Sequence, residues 1–262
     1  MIESTKNPTV KRVARLKQRP EREATGLALL EGPQVVRELI AHAATTVEEL
    51  YFTSEGFERH PELAKAATDA GIEVEFASDA ALAAMADTRT PQGVLAVAHQ
   101  TPTRLRDLFE EAARLVVVLD EVRDPGNAGT IIRAADAAGA DAVILTGSSV
   151  DPYNPTVVRS TTGSLFHLRV ATGVTLEAAA GAVREAGLAL LAADMHGEPL
   201  PAADLSGPTA WLFGNEAHGL SAEARALADR TVAVPIYGAA ESLNLGTAAA
   251  VCLYASAFAH RA

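Results

Sequence analysis

Three stretches place polar side chains beside glycines at the ends of apolar runs, where loops present groups to a ligand. The first, LDEVRDPGNAGTIIRAADAAGADAVIL (residues 119–145), carries Asn127 and Arg133. Asp124-Pro125-Gly126-Asn127 is turn chemistry, and Asp124 or Asn127 can cap a helix predicted to begin near Ala128. Arg133 falls in the second turn of that helix, off the centre of its apolar face. Ligands of doubly wound sheets sit beyond the carboxyl ends of the strands, where this loop lies. That position makes Arg133 a ligand group, against the alternative of a surface salt bridge with Asp136 or Asp141. The second stretch, WLFGNEAHGLS (211–221), sets Glu216 between Gly214 and Gly219, with Ser221 as a helix cap. The third, VPIYGAAESLNLGTAAAVCLYA (234–255), opens a helix near Leu243 with Ser242 and Asn244 on either side. These two polar residues are caps or, with the earlier loops, the wall of a pocket. Neither the dinucleotide fingerprint nor the phosphate loop occurs in the chain. A conventional NAD or ATP site is therefore not expected, whereas a nucleoside cofactor without a polyphosphate is not excluded.

Other reactive residue types are sparse. The single cysteine, Cys252, lies in an alanine-rich helical stretch and reads as a small buried hydrophobe rather than a nucleophile. No two of the seven histidines are spaced as a metal-ligand pair, so no metal site is expected.

The elements that must hold these loops form two α/β series. In the first, a basic helix over 8–19 precedes GLALLEG (strand), a helix through His42, VEELYFT (strand), HPELAKAATDAG (helix), IEVEFAS (strand), DAALAAMAD (helix) and GVLAVAHQ (strand). TPTRLRDLFEEAAR reads as a polar linker with a helical turn. The expected domains are 1–100, a linker over 101–113, and 114–262. The second series has strands LVVVLDE, DAVILTG, LALLAAD, TAWLFGN and TVAVPI, with helices beginning near Ala128, Asn154, Leu176, Ser221 and Leu243. These strands are apolar throughout, as in a parallel sheet covered on both faces.

The chain has 262 residues, 48% of them hydrophobic, which predicts a globular fold. No apolar run reaches membrane-helix length, and the basic start lacks the apolar core of a secretory signal. A cytoplasmic address is expected. Net charge is −11, yet residues 1–22 hold seven basic and two acidic side chains, a local +5 on a body of −16. A basic arm on an acidic body predicts local phosphate contact, weighed evenly against a solvated first helix.

The three motifs, in order and spacing, resemble those of the SpoU (TrmH-like) branch of the SPOUT RNA methyltransferases. The first matches through Asn127, Gly129 and Arg133, the second through Gly214, Glu216, Gly219 and Leu220, the third through Pro235, Gly238, Ser242, Leu243 and Asn244. STKNPTVKRVARL, LLEGPQVVREL and TPQGVLAV look like the substrate-binding amino-terminal domain of the family's ribosomal RNA methylases. NPTVVRSTTGSLFHL looks like the stretch between the first two motifs. Gln34 stands where many relatives are basic, Ser164 where alanine is common, and Gly246-Thr247 where Ser-Val is usual.

The resemblance implies a trefoil-knotted carboxyl-terminal domain after a small α/β RNA-binding domain. It implies S-adenosylmethionine as cofactor, a homodimer formed through the carboxyl-terminal domain, and methylation of a ribose 2′-hydroxyl. Ribosomal RNA is favoured over tRNA because of the amino-terminal domain, in a housekeeping or an antibiotic-resistance role. The implied catalytic residues are Asn127, Arg133, Glu216, Ser242 and Asn244, with Glu216 fixing Arg133 or Asn127, or else capping a local amide. The cofactor would contact Leu212, Phe213, Gly214, Asn215, Glu216 and Gly219 of the second motif. From the third it would contact Val234, Ile236, Gly238, Ser242, Leu243, Leu245 and Thr247. RNA would meet Lys6, Lys11, Arg12, Arg37, Arg159 and Ser160. Arg133 would act as the base or, since a guanidinium titrates above ~12, as a charged group that binds the target phosphate and acidifies the hydroxyl. The competing classes are a noncatalytic RNA-binding protein on the same scaffold and a nicotinamide oxidoreductase, the latter disfavoured by the missing fingerprint.

Overall fold

A computed structural model describes residues 1–262. In chain order the elements are α1 (Pro8–Arg15), α2 (Arg19–Thr25), β1 (Leu27–Glu31), α3 (Pro33–Ala43), β2 (Val47–Phe52), α4 (Ser54–Arg59), α5 (Pro61–Asp69), β3 (Val74–Phe76), α6 (Asp79–Met85) and β4 (Val94–His99). They continue with β5 (Leu115–Asp120), α7 (Pro125–Ala138), β6 (Ala142–Thr146), α8 (Pro155–Thr161), β7 (Arg169–Val174), α9 (Leu176–Glu185), β8 (Ala189–Pro199), β9 (Thr209–Phe213), α10 (Ala222–Leu227), β10 (Arg230–Ala233) and α11 (Leu245–Ala259). No helix is long and apolar enough to cross a membrane. Two compact units emerge: residues 1–101 with 151–167, and residues 102–150 with 168–262.

The first unit holds a four-stranded sheet in the order β1-β4-β2-β3. β4 runs antiparallel to both β1 and β2, and only β2 and β3 are parallel, so the sheet is mixed. The basic amino-terminal segment is not one helix. It breaks after Arg15 and restarts at Arg19 with Pro20 in the first turn, where a missing N–H costs nothing. Val10, Val13 and Leu16 bury against Leu82, Met85 and Val97.

Segment 151–167, which sequence order places in the second series, packs with the first unit. The reason is Arg22, counted above as part of the basic arm but only 1% exposed. Its Nε and Nη2 donate to Asp151 Oδ2 at 2.8 and 2.7 Å. Its Nη1 donates to the carbonyls of Leu16 and Lys17 at 2.9 and 2.8 Å. Asp151 Oδ1 in turn accepts from Tyr153 N, and the buried Tyr153 hydroxyl accepts from Thr101 N. Burial raises the Tyr153 phenol above its usual range, which keeps it a neutral partner. α8 then begins on an Asn154 cap and Pro155, and packs on β1.

The second unit holds a six-stranded sheet, β10-β8-β9-β5-β6-β7, parallel throughout. β5, β6 and β9 are buried almost along their whole length, as their unbroken apolar runs require. β7 is a strand the apolar pattern does not reveal. It is a half-exposed edge strand whose partly polar RVATGV sequence has Gly173 at φ 70°. The linker turn at Leu105–Phe109 inserts Leu108 into the core beneath β5, β6 and β8. Trp211 is fully buried and donates from Nε1 to Ser256 Oγ of α11 at 2.9 Å, so its one polar atom is satisfied.

Cys252, on the same helix, is 0% exposed, and burial pushes its thiol up to about 12. The thiolate is the nucleophile, so at pH 8 iodoacetamide is expected to leave the folded protein unlabelled and to label it fully in guanidinium. Mass spectrometry reads the difference. Native labelling at the rate of a free thiol would overturn the assignment.

Candidate functional site

The site forms where the loops after β5, β8, β9 and β10 meet at the carboxyl edge of the second sheet. Glu121, the residue after β5, has φ 54°, a left-handed conformation that a non-glycine residue adopts only at a cost. Its carbonyl accepts from Asn215 Nδ2 at 2.9 Å, which holds it there. α7 starts at Pro125, three residues earlier than expected, because the Asp124 carboxylate caps it by accepting from Asn127 N at 2.7 Å. The Asn127 side chain is thereby free of capping. Its Oδ1 accepts from Asn244 Nδ2 at 3.0 Å, joining the first and third motifs.

Asn244 is the cap of α11, accepting from Thr247 N at 3.3 Å, so that helix begins at Leu245 rather than Leu243. Gly246 sits against α7: a Cβ there would lie 2.8 Å from Thr130 Cγ2. A side chain at 246 would therefore require Thr130 to shift.

The loop after β9 is a closed turn. Gly219 N donates to Asn215 O at 2.8 Å and Ala217 N to Asn215 Oδ1 at 2.9 Å. Glu216 reaches neither Arg133 nor Asn127. Its carboxylate accepts from the backbone of Asp124 at 3.2 Å, so it braces the first-motif loop through the main chain. Nor does a carboxylate pair with Arg133: its side chain is exposed, and Asp141 instead accepts from the Arg114 and Leu115 amides at 2.7 and 3.0 Å. The guanidinium is left available to a phosphate or other anion.

Gly214 is buried under the turn, and a Cβ on it would lie 2.6 Å from the Gly219 carbonyl group and 2.7 Å from Leu220 N. Backbone cannot yield to such an overlap locally. Gly214→Ala is therefore expected to cost about 1–3 kcal/mol of stability, the range for an overpacked site, and to displace the turn. Thermal unfolding checks the first effect and ligand calorimetry the second. An unchanged midpoint with unchanged ligand affinity would refute it.

Between these loops lies a cavity of about 460 Å³. Phe213, Asn215, Glu216, Gly219, Val234, Ile236, Ser242, Leu243 and Leu245 of the expected set line it. Leu212 does not: it is fully buried in the core. Gly214 lies beneath the wall rather than in it, while Gly238 and Thr247 are exposed outside it. The wall also contains Asp194, Met195 and His196 from β8, with Val232 and Arg225, none of which the motifs indicate. Asp194 accepts from Arg225 Nη1 at 3.0 Å. The polar DMHGE run after an apolar strand is the sequence signal for this wall. On the other side of the 215–219 turn is a wider concavity of about 990 Å³ bearing Asp120, Glu121, Glu177 and Glu223 around Arg123.

The SpoU rRNA Methylase family pattern matches residues 114–254. The chain belongs to this family. An MRM3-like substrate binding domain matches residues 7–96. The 23S rRNA (guanosine(2553)-2′-O)-methyltransferase of Bacillus subtilis (strain 168) is 37% identical over 257 residues, 97% of each chain. Among solved structures, an AdoMet-bound rRNA methyltransferase from Sinorhizobium meliloti superposes with a TM-score of 0.85 at 31% identity, covering 97% of this chain and 96% of that one. The SpoU methyltransferase AviRb from Streptomyces viridochromogenes, in complex with AdoMet, gives 0.82 at 32% identity over 96% and 98%.

Of the residues expected to meet RNA in this SpoU family member, Lys6 and Lys11 are exposed. Arg12 is ion-paired with Glu49. Arg37 donates to Gln34 Oε1 at 2.7 Å and Glu62 at 3.1 Å. Arg159 donates to Asp87 at 2.9 Å and Thr156 at 3.2 Å, and the Ser160 hydroxyl to Thr156 O at 2.8 Å. Of the six expected RNA contacts, Lys6 and Lys11 present charge to solvent without a carboxylate partner.

Proposed function

We propose that this chain is an S-adenosylmethionine-dependent methyltransferase acting on a ribose 2′-hydroxyl of large-subunit ribosomal RNA. The observation that carries the reading is the composition of the 460 Å³ cavity beside the Asn127–Asn244 contact. Phe213, Val232, Val234, Ile236, Leu243 and Leu245 offer an apolar surface for a purine, and Glu216 and Glu241 offer carboxylates to a cationic ligand, Asp194 being paired with Arg225. Its size lies within the roughly 300–1,000 Å³ of small-molecule sites.

When bound, the cofactor supplies an electrophilic methyl group on a sulfonium. The chain's residues position and activate the acceptor. Glu216 lines the cavity and accepts from the Asp124 amide, which links the cavity wall to the loop bearing Asn127. Asn127 orients the hydroxyl, with its own amide fixed by Asn244. Arg133 binds the target phosphate and favours loss of the hydroxyl proton electrostatically, with direct proton abstraction as the alternative role. Ser242 shapes the cavity wall.

Residues 1–100 bring RNA through the basic arm, 101–113 connect, and 114–262 carry the chemistry. β10 lies at one edge of the sheet while the next helix, α11, packs on α7, β9 and β5 nearer its middle, a crossing that supports the trefoil threading. Val251, Tyr254 and Phe258 form an exposed apolar stripe along α11, 40%, 39% and 69% exposed, which supports dimerisation through this unit. The proposed address is the cytoplasm.

Mapping 2′-O-methylation in ribosomal RNA from cells with and without the gene tests the substrate, and calorimetry with S-adenosylmethionine against NAD tests the cofactor. One ribosomal position is expected to lose its methyl group in the deletion. An unchanged ribosomal map would favour tRNA or a noncatalytic role.

A further inference from the structure

Glu38 and His42 stand one turn apart on α3, on the same face. Above them is His167, which follows a tight turn at Ser164–Phe166 and lies 129 residues from Glu38. Glu38 Oε2 is 3.2 Å from His167 Nε2 and 3.6 Å from His42 Nε2. The three ligand atoms all fall within 4.8 Å of one another, and the two imidazoles lie 4.3 Å apart, tilted by 59°. Sequence spacing hides this cluster, because its two histidines are 125 positions apart.

The geometry points to a binding site for a divalent transition metal of the zinc class, held by Glu38, His42 and His167. Tetrahedral zinc with bonds of about 2.0–2.1 Å sets its ligand atoms about 3.3 Å apart. Two of the three edges already match to within a few tenths of an ångström, and the third, within 4.8 Å, is closed by rotating the imidazoles about their side-chain bonds. Two imidazoles and one carboxylate favour zinc, nickel or copper over magnesium or calcium.

The surroundings support the ligands. Gln34 Nε2 donates to Glu38 Oε1 at 2.8 Å, and its own Oε1 accepts from Arg37, so the carboxylate is turned with Oε2 toward both rings. Gly163 has φ 107°, and a Cβ on it would overlap Glu38 Cβ and Cγ. Only glycine lets the turn lie on α3 and bring His167 over the carboxylate. The cluster is surface-accessible, so metal can enter, and it ties α3 to residues 163–167 across a long chain closure. The bound metal thus acts as a clip on the first unit, separate from the methyl-transfer site.

The test is zinc chloride titrated into the metal-free full-length protein by calorimetry, with magnesium as control. Thermal unfolding and cobalt absorption serve as further readouts. Expected are one saturable zinc site in the micromolar range, a rise in the unfolding temperature, and the intense visible bands of tetrahedral cobalt. His42→Ala/His167→Ala should abolish that site, and Gln34→Leu should weaken it about 10-fold, the lower end for loss of a partner behind a metal ligand. All four residues lie on the surface or half-buried, and circular dichroism verifies folding of each variant. Zinc binding of unchanged stoichiometry and affinity in the double variant, or no saturable binding in the parent, would overturn the proposal.

Discussion

Arg133→Ala is expected to reduce methyl transfer at least 10²–10³-fold, the loss measured when one charge-stabilising group is removed from a reacting oxygen. The affinity for S-adenosylmethionine should stay within a few-fold. Arg133 leaves the first turn of α7 behind and projects without a hydrogen bond or carboxylate partner. An exposed cation that stabilises nothing in its own protein can be removed at little cost to folding, typically within half a kcal/mol. The loss would therefore appear in the chemistry and leave the unfolding curve nearly unchanged. It is also not part of the cavity wall, so the cofactor loses no contact. Single-turnover transfer of labelled methyl to ribosomal RNA measures the first quantity and calorimetry the second. Arg133→Lys separates the two roles. It keeps the charge without the planar fork, so partial activity favours electrostatic assistance. Activity near the parent level in Arg133→Ala would sink both roles.

Asp151→Ala should destabilise the first unit by about 3–5 kcal/mol, the cost of leaving a buried charge unpaired. Arg22 is enclosed on all sides, and every donor nitrogen of its guanidinium is engaged by Asp151, Leu16 O or Lys17 O. Removing the carboxylate strands the cation and also frees Tyr153 N. An apolar pair of similar volume, Arg22→Met with Asp151→Leu, should recover much of the loss, because desolvation of both charges disappears with them. Thermal unfolding followed by calorimetry should show the first transition falling by on the order of 10 °C or more in the single variant. A shift under about 2 °C would mean that water reaches Arg22 after the substitution.

These two arginines show what can be taken from residue order. Arg133 is readable because its neighbours are local: a turn, a cap and a helical face within ten residues place it by the carboxyl end of β5. Arg22 is misread as part of a basic arm because its carboxylate lies 129 residues away. The same contrast runs through the site. Gly214, Glu216 and Gly219 announce a loop after an apolar strand. The wall formed by Asp194, Met195 and His196 comes from the end of β8, and no motif connects it to them. β7 escapes the apolar pattern because an edge strand buries only part of itself.

By itself the sequence determined the parallel strands β5, β6 and β9, the capped helices beside them, and the three glycine-bearing loops that follow the strands. Each follows from interactions among residues a few positions apart: unbroken apolar burial, turn dihedrals and side-chain caps. Only the tertiary structure decided which distant groups meet. It gave Asn127 to Asn244, 117 residues on, and turned Glu216 to the Asp124 amide instead of a side chain. It also buried Arg22 on Asp151 and gathered Glu38, His42 and His167 on one surface. Local patterns fix where a polar group can project, but its partner is set by how the sheets and helices close around it.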